Sequence, residues 1–347
     1  MEERPTISII VPAFNAQATI SSCLEAINAA KCPGDEVIVF DDGATDDTNA
    51  IAMAAGARIL RNESAPLGPA HGRNAAAEVA TSEYLLFVDA DVVIAKDTID
   101  LLINEIARTG AIAAFGSYDD RPRSNRLTSL YANLRHHYVH QHGPSEATTF
   151  WSGIGMIDRR VFLAAGGYDT ALFAHPSIED VELGVRLKTS GYRIRLVHAA
   201  FGTHCKDWSL WRVWHTDIVR RAYPWSALIA DGRTAGVDLN VAAGERITAG
   251  LAAAIICFLG AGLFYWPALI AAAFAALGYG FRNRSFFGFL ARQLPLTGLI
   301  VAIAMHWCYH IYASLTFVLI LLATKLHLRK RSTYLPTSTI SPTKSAL

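Results

Sequence analysis

Over the first hundred residues, short apolar runs alternate with stretches whose apolar positions recur every three or four residues. Thr6–Pro12 is nearly all apolar and closes at Pro12, and Glu36–Asp41, Ala57–Arg61 and Tyr84–Val88 repeat the theme. Such short runs, rich in β-branched and aromatic residues, read as buried strands. Between them, Ile20, Leu24 and Ile27 place a helix within 16–30, a second helix follows the polar turn after Asp41 and runs through Ala55, and residues 70–80 form an Ala-rich third. Alternating strand and helix predict an α/β fold, a mostly parallel sheet with helices on both faces. Right-handed crossovers then gather the strand ends, with Pro12, Asp42 and Asp89, on the edge where open α/β sheets bind ligands.

Past residue 112 the pattern is mixed. Ile112–Ser117 and Thr149–Ile157 read as strands with a polar helix between them, and Glu179–Ser190 as a helix. Residues 209–222 put Trp211, Trp214, Ile218 and Val219 on one side, accompanied by Arg212, Arg220 and Arg221. That mix suits a helix lying at a bilayer interface and equally one packed inside against the sheet.

Two later runs, Ile247–Gly280 and Gln293–Thr324, contain no Asp, Glu, Lys or Arg. Each exceeds the ~20 apolar residues that span a bilayer core, so a transmembrane region is expected over 247–324. As one helix, Ile247–Gly280 would be about 51 Å long at ~1.5 Å per residue, and Trp266-Pro267 near its middle predicts a hairpin of two helices. Gln293–Thr324 then makes a third. Lys325, Arg329, Lys330 and Arg331 favour a cytoplasmic end, as Arg282, Arg284 and Arg292 do for the middle loop. Three full crossings cannot satisfy both, whereas a re-entrant or interfacial segment can. His306 and His310 share a helical face in the last run and fit contact with a lipid phosphate or a neighbouring helix. The tail after Arg331, rich in Ser, Thr and Pro, is expected to be disordered.

Composition agrees with an apolar, membrane-associated chain: 52% of residues are hydrophobic and 18% charged. A net charge of +1 and the lack of a basic stripe give no sign of a nucleic-acid partner. Cys23, Cys32, Cys205, Cys257 and Cys308 are odd in number and make no Cys-x-x-Cys pair, so neither disulfides nor a zinc site is expected. Met-Glu-Glu-Arg-Pro-Thr has no basic region followed by an apolar stretch, so the segment up to Glu245 is expected on the cytoplasmic side.

The candidate chemistry lies at the strand ends. Asp89 and Asp91 flank one alanine directly after Tyr84–Val88. In extended backbone they would point the same way and repel unless a cation lay between them. They therefore read either as a divalent-metal clamp for a phosphate-bearing ligand or as a polar strand end. Asp41-Asp-Gly-Ala-Thr-Asp46 supplies a tight turn at Gly43, with Thr45 expected to cap the next helix. It leaves Asp41 or Asp42 facing the crevice, for a ribose or base edge or as turn decoration. Glu179 and Asp180 sit where a loop becomes a helix and suit either a general base or the helix dipole. Gly153 and Gly155 beside Trp151 allow close approach of backbone to a flat ligand, or mark a strand bulge.

The order of these segments carries more information than any one of them. With Ile9-Ile-Val-Pro-Ala-Phe-Asn15, Gly72-Arg-Asn74 and Gly153-Ile-Gly-Met156, the chain resembles the family 2 glycosyltransferases, whose GT-A fold is a Rossmann-like nucleotide-diphospho-sugar domain. The resemblance covers roughly residues 5–225. It implies that Pro12, Ala13 and Phe14 line the nucleotide pocket with Asp42 near the base or ribose, and that Arg73 lies near the diphosphate or base. It also implies that Asp91, with Asp89 in support, holds Mg²⁺ or Mn²⁺ against the diphosphate. Asp180 becomes the catalytic base of an inverting displacement, Glu179 joins the nucleotide-sugar-binding residues, and the Gly153–Met156 loop shapes the donor-sugar and acceptor site. The Gln-x-x-Arg-Trp motif of processive members is absent; His204-Cys-Lys206, Arg212 and Arg220-Arg221 occupy its region and could meet phosphates. Single transfer to a lipid or lipid-linked acceptor is the resulting expectation, from a multi-pass inner-membrane enzyme with a cytoplasmic catalytic domain over residues 1–230. A polyprenyl-phosphate sugar synthase and a nucleotide-sensing membrane scaffold are the alternatives; only a scaffold could dispense with a base at Asp180.

Overall fold

The computed structural model describes residues 4–64, 66–173, 175–234 and 243–329. The chain divides into two compact units. One holds residues up to Asn125 together with Arg135–Asp207, and the other holds Arg126–Leu134 and Trp208–Arg331.

In the first unit β1 (Ile7–Ala13), β2 (Glu36–Asp41), β3 (Arg58–Arg61) and β4 (Tyr84–Val88) alternate with α1 (Ile20–Ala30), α2 (Thr48–Ala54) and α3 (Pro69–Val79). All neighbouring pairs among these strands are parallel. Side-chain alternation divides their apolar residues between two faces. Ile7, Ile9, Val11, Leu86 and Val88 pack under α1, and Ile10, Ile38, Leu85 and Phe87 pack under α3. Two buried faces explain why these strands read as unbroken apolar runs.

The chain then adds β5 (Val92–Ile94), α4 (Thr98–Thr109), β6 (Ala113–Tyr118), α5 (Leu127–His142), β7 (Glu146–Ala147), β8 (Ile154–Asp158), α6 (Arg159–Ala164), α7 (Glu179–Thr189) and β9 (Ile194–His204). The strands form one sheet in the order β3-β2-β1-β4-β8-β6-β9-β5, with β7 paired to β9. β8 enters antiparallel between β4 and β6, so the parallel core continues into a mixed half. The expected strand over 149–157 begins only at Ile154, because Phe150 and Trp151 turn back over the glycines that follow them. β5, α4 and β9 were not among the expected elements; β9 interleaves Arg195, His198 and Thr203 with its buried positions, which breaks the apolar run.

In the second unit, α8 (Leu210–His215), a π-helical stretch Thr216–Ala222 and α9 (Tyr223–Ala230) form consecutive turns. Val213 and Asp217 are buried while Trp211, Trp214 and Val219 are exposed. The side carrying these two tryptophans and Val219 is therefore the one left open in this unit. α10 (Ala243–Gly262) and α11 (Pro267–Arg282) make the hairpin foreseen at Trp266-Pro267, and α12 (Arg284–Gln293) leads to α13 (Leu296–Lys325). By length and composition Gly244–Gly262 and Leu296–Lys325 are candidate membrane spans; α11 is shorter. Lys330, Arg331 and the Ser/Thr/Pro-rich tail lie outside the described residues.

Candidate active site

The strand ends of β1, β2 and β4 meet at one edge, with Ala13 beside Asp41 in the register. The loops leaving that edge are tied to one another. Asn15, at φ 47°, accepts from the Thr45 backbone N–H at 2.9 Å. Asp46, rather than Thr45, satisfies the start of α2, accepting from Thr48 N at 3.1 Å. Pro12 is partly open and Ala13 buried, whereas Phe14 stands half-exposed at the mouth. Asp42 is buried, and its carboxylate accepts from Asn62 Nδ2 and Leu67 N at 2.9 Å each and from Gly68 N at 2.8 Å. Its immediate work is to fold the 62–68 loop against the sheet edge.

Gly72, Arg73 and Asn74 on α3 each do something different. A Cβ at Gly72 would press into the Phe40 ring, so glycine lets α3 lie directly on β2. Asn74 holds the backbone of Tyr168 from both sides, at 2.8 and 2.9 Å. Arg73 is buried, with its guanidinium 5.7 Å from the centre of the Tyr168 ring. It donates to Asp89 Oδ1 at 2.6 Å and to Glu179 Oε1 at 3.1 Å. One arginine thus joins the end of β4 to the start of α7. The opposed charges outweigh the cost of burying the guanidinium and hold it protonated.

Asp89 and Asp91 do not continue β4. The Val92 N–H donates to Asp89 O at 2.9 Å, a turn that replaces the extended geometry assumed for the pair. Asp89 faces Arg73, while Asp91 Oδ2 lies 3.8 Å from His204 Nε2 and 3.6 Å from Lys206 Nζ. Two ligands each about 2.0–2.2 Å from a shared cation can be up to roughly 4 Å apart, so Asp91 and His204 fit one divalent ion. Among the described residues no group of three or more His, Cys, Asp and Glu side chains is gathered for a metal. A hard ion here would complete its shell with phosphate and water oxygens, the usual habit of Mg²⁺. His204 is buried and stacks on Tyr118 at 4.4 Å, which fixes its ring plane. Its signal in the sequence was the His204-Cys-Lys206 segment, with nothing to connect it to Asp91.

Asp180, in the first turn of α7, accepts from Ser152 N at 3.1 Å and Ser152 Oγ at 3.4 Å. Burial first, and the neighbouring Glu179 charge second, push its carboxyl up to about 6. Glu179 turns inward, bonded to Arg73 and to Ser177 N at 2.8 Å. The two neighbouring carboxylates thus part, Asp180 to Ser152 and Glu179 to Arg73. Gly153 and Gly155 are close-packed for a reason other than an incoming ligand: a Cβ at either would strike the ring or carbonyl of Trp151, or the Phe150 ring. The flat groups they admit are the chain's own, Trp151 at Gly153 and Phe150 at Gly155. Arg212, Arg220 and Arg221 belong to the second unit.

The model of the family described as glycosyl transferase family 2 matches residues 8–164. Residues 8–164 are thus similar to the family 2 glycosyltransferases. Among curated relatives, an uncharacterized protein of Mycobacterium tuberculosis is 30% identical over 202 residues, covering 53% of this chain and 62% of that protein. Glucosyl-3-phosphoglycerate synthase of the same organism is 38% identical over 96 residues, 25% of this chain and 29% of the enzyme. The chain thus spans less than two thirds of either relative. Among solved structures, the mannosyltransferase PcManGT from Pyrobaculum calidifontis, in complex with GDP-Man and Mn²⁺, matches with a TM-score of 0.52 at 20% identity. That match covers 94% of this chain and 87% of the other, so the likeness of fold extends beyond residues 8–164.

Proposed function

We propose that the protein is an inverting, metal-dependent glycosyltransferase that moves one sugar from a nucleoside diphosphate donor to a lipid or lipid-linked acceptor at the cytoplasmic face of a membrane. The observation that carries the reading is the Arg73 bridge between Asp89 and Glu179. It fixes the Asp91–His204 pair and Asp180 to one frame at the strand ends. Pro12, Ala13, Phe14 and the loop held by Asp42 line the donor side of that edge.

Asp91 and His204 hold Mg²⁺ or Mn²⁺ in this reading, and the ion supplies charge neutralisation for the leaving diphosphate. Lys206, also near Asp91, adds positive charge at the same place. Asp180, ionised at neutral pH, accepts the proton of the acceptor hydroxyl as its oxygen attacks the anomeric carbon. Ser152 holds the receiving carboxylate in orientation through its backbone N–H and hydroxyl. Glu179, committed to Arg73, keeps the start of α7 in place while the proton moves.

The lipid character of the acceptor is supported by the second unit, where Trp211 on α8 and Phe264 and Trp266 at the turn between two apolar helices are exposed. The test is a donor screen. Detergent-solubilised protein meets UDP-, GDP- and dTDP-sugars with Mn²⁺ or Mg²⁺ and a polar-lipid extract, with Asp91→Ala as control. Metal-dependent transfer from one donor into the lipid fraction, lost in the control, is the expected result. Transfer to soluble sugars alone removes the lipid acceptor, and no turnover with nucleotide still bound removes the enzyme.

A further inference from the structure

We propose that α13 lies along the membrane face without crossing it, and that the α10–α11 hairpin is the part of the chain that enters the lipid. The inference rests on the membrane association proposed above and decides the number of crossings that charge counting left in conflict.

α13 is tied to the hairpin by Trp307 Nε1, which donates to Ala252 O at 3.2 Å, and by His310 Nδ1, 3.1 Å from the Tyr279 hydroxyl, and along the rest of its length to segments that are too polar or too short to span. Near its start, a Cβ at Gly298 would sit 3.4 Å from the Leu127 side chain. About two turns further on, His306 Nδ1 meets the Tyr131 hydroxyl at 3.2 Å, and His306 Nε2 meets Asn283 Oδ1 at 3.2 Å. Tyr312 then donates to the buried carboxylate of Asp217 at 2.7 Å, which also pairs with Arg221 at 3.2 Å. Just past the end of the helix, Arg329 grips Asp231 through both nitrogens, at 2.8 and 2.9 Å.

The spacing of the last two ties fixes direction and depth. The chain advances 14 residues from Asp217 to Asp231 and 17 from Tyr312 to Arg329, in the same direction, and only about 24 Å of α13, at ~1.5 Å per residue, precedes Tyr312. α13 therefore runs parallel to the π-helical stretch and α9, side by side. Any depth assigned to the second half of α13 is also assigned to Asp217, Arg220, Arg221 and Asp231. A bilayer core is ~30 Å thick, so a crossing α13 would carry at least one end of this charged segment into lipid. At 30 residues the helix is also about 45 Å long, more than an upright span needs. Lying flat instead, it offers lipid the exposed side chains Ile300, Leu315, Val318, Leu322 and Leu326 while its bonded side chains face the rest of the unit.

The hairpin has the opposite character. Its tip, Leu263-Phe264-Tyr265-Trp266, is exposed throughout, with Phe264 at 94%. No charged side chain occurs between Ile247 and Gly280. An uncharged tip flanked by two apolar helices suits acyl chains and has nothing to hold it in water. A hairpin returns the chain to the side it left, so both ends of α13 share that side with Asp231.

The test places single cysteines at Leu296→Cys and Leu328→Cys, exposed sites at the two ends of α13, in the full chain with its own cysteines changed to serine. Membrane-impermeant maleimide is applied to intact cells and to inverted vesicles. Labelling of both positions from the same side is expected; labelling from opposite sides overturns the inference. Should the cysteine-free background fail to fold, fusions of the wild-type chain give a second reading. Alkaline phosphatase inserted between Gln293 and Leu296 and, separately, at the C-terminus is expected to be inactive in both places, and activity at one position alone overturns the inference. Recovery of wild-type protein in the soluble fraction after lysis would instead remove the membrane reading itself.

Discussion

Arg73 and Glu179, 106 positions apart in the chain, meet at 3.1 Å with both side chains buried. The same guanidinium holds Asp89, so a single side chain sets the distance between the end of β4 and the start of α7. Removing one partner of a buried ion pair leaves the others uncompensated, at a cost of about 3–5 kcal/mol. Arg73→Met should therefore lower the melting temperature and abolish transfer together. Arg73→Lys, with one ammonium in place of a two-armed fork, should keep the fold and lose most turnover. Thermal melts and kcat/KM measured side by side check this.

Asp180 makes a pH prediction with a defined sign. Its carboxyl is raised to about 6, by burial first and Glu179 second, against ~3.9 for an unperturbed aspartate. The base must be ionised, so kcat/KM should climb as pH rises through about 6. Asp180→Asn should lose roughly 10²- to 10⁴-fold in turnover and keep nucleotide affinity. A turnover within a few-fold of wild type would take Asp180 out of the mechanism.

The same shift reads on stability. A raised folded value means the fold disfavours the ionised form. The contribution is present below the unfolded value near 4 and lost as pH rises through about 6. Asp180→Asn should thus melt above wild type at pH 7–8, with the gap closing by pH 4–5. Calorimetry across that range decides it; a variant that is less stable at pH 8 contradicts the burial argument.

Metal binding should separate the two aspartates of the Asp89-Ala-Asp91 turn. Asp91→Ala and His204→Ala remove the two groups that fit one ion, and each should raise the Mn²⁺ concentration needed for nucleoside diphosphate binding by at least ~10-fold. Asp89→Asn keeps an acceptor for Arg73 and should affect metal demand less. Titration of Mn²⁺ by electron paramagnetic resonance distinguishes these outcomes. Equal effects at all three positions would make Asp89 a ligand as well.

Gly184 tests how tightly α7 must seat. A Cβ there would run into the backbone of Thr149 and Phe150. Backbone cannot yield as a side-chain end does, so Gly184→Ala should shift α7, which carries Glu179 and Asp180, and destabilise the domain by about 1–3 kcal/mol. Turnover should fall more than donor affinity. An alanine variant of unchanged stability would mean that α7 can ride outward freely.

Much of this architecture was readable one residue at a time. Strand and helix signals are local, which is why β1, β2 and β4 and the hairpin at Trp266-Pro267 matched expectation closely. The edge that gathers Pro12, Asp42 and Asp89 followed from crossover handedness alone. Elements whose periodicity is diluted by polar residues, β9 above all, left no comparable trace.

The sequence by itself determined the alternating α/β domain, the acidic strand ends and the charge-free C-terminal runs. These depend on side-chain period and composition, which every residue carries with it. Only the tertiary structure decided that Asp89 serves Arg73 while Asp91 faces His204, and that the Trp151 and Phe150 rings fill the space left at Gly153 and Gly155. It also decided that Tyr312 and Arg329 tie α13 to Asp217 and Asp231. Each of these is a pairing between segments distant in the chain, and its geometry exists only once the sheet has closed and the helices have packed. A carboxylate's partner is set by which group arrives within about 3–4 Å, and no local pattern encodes that arrival.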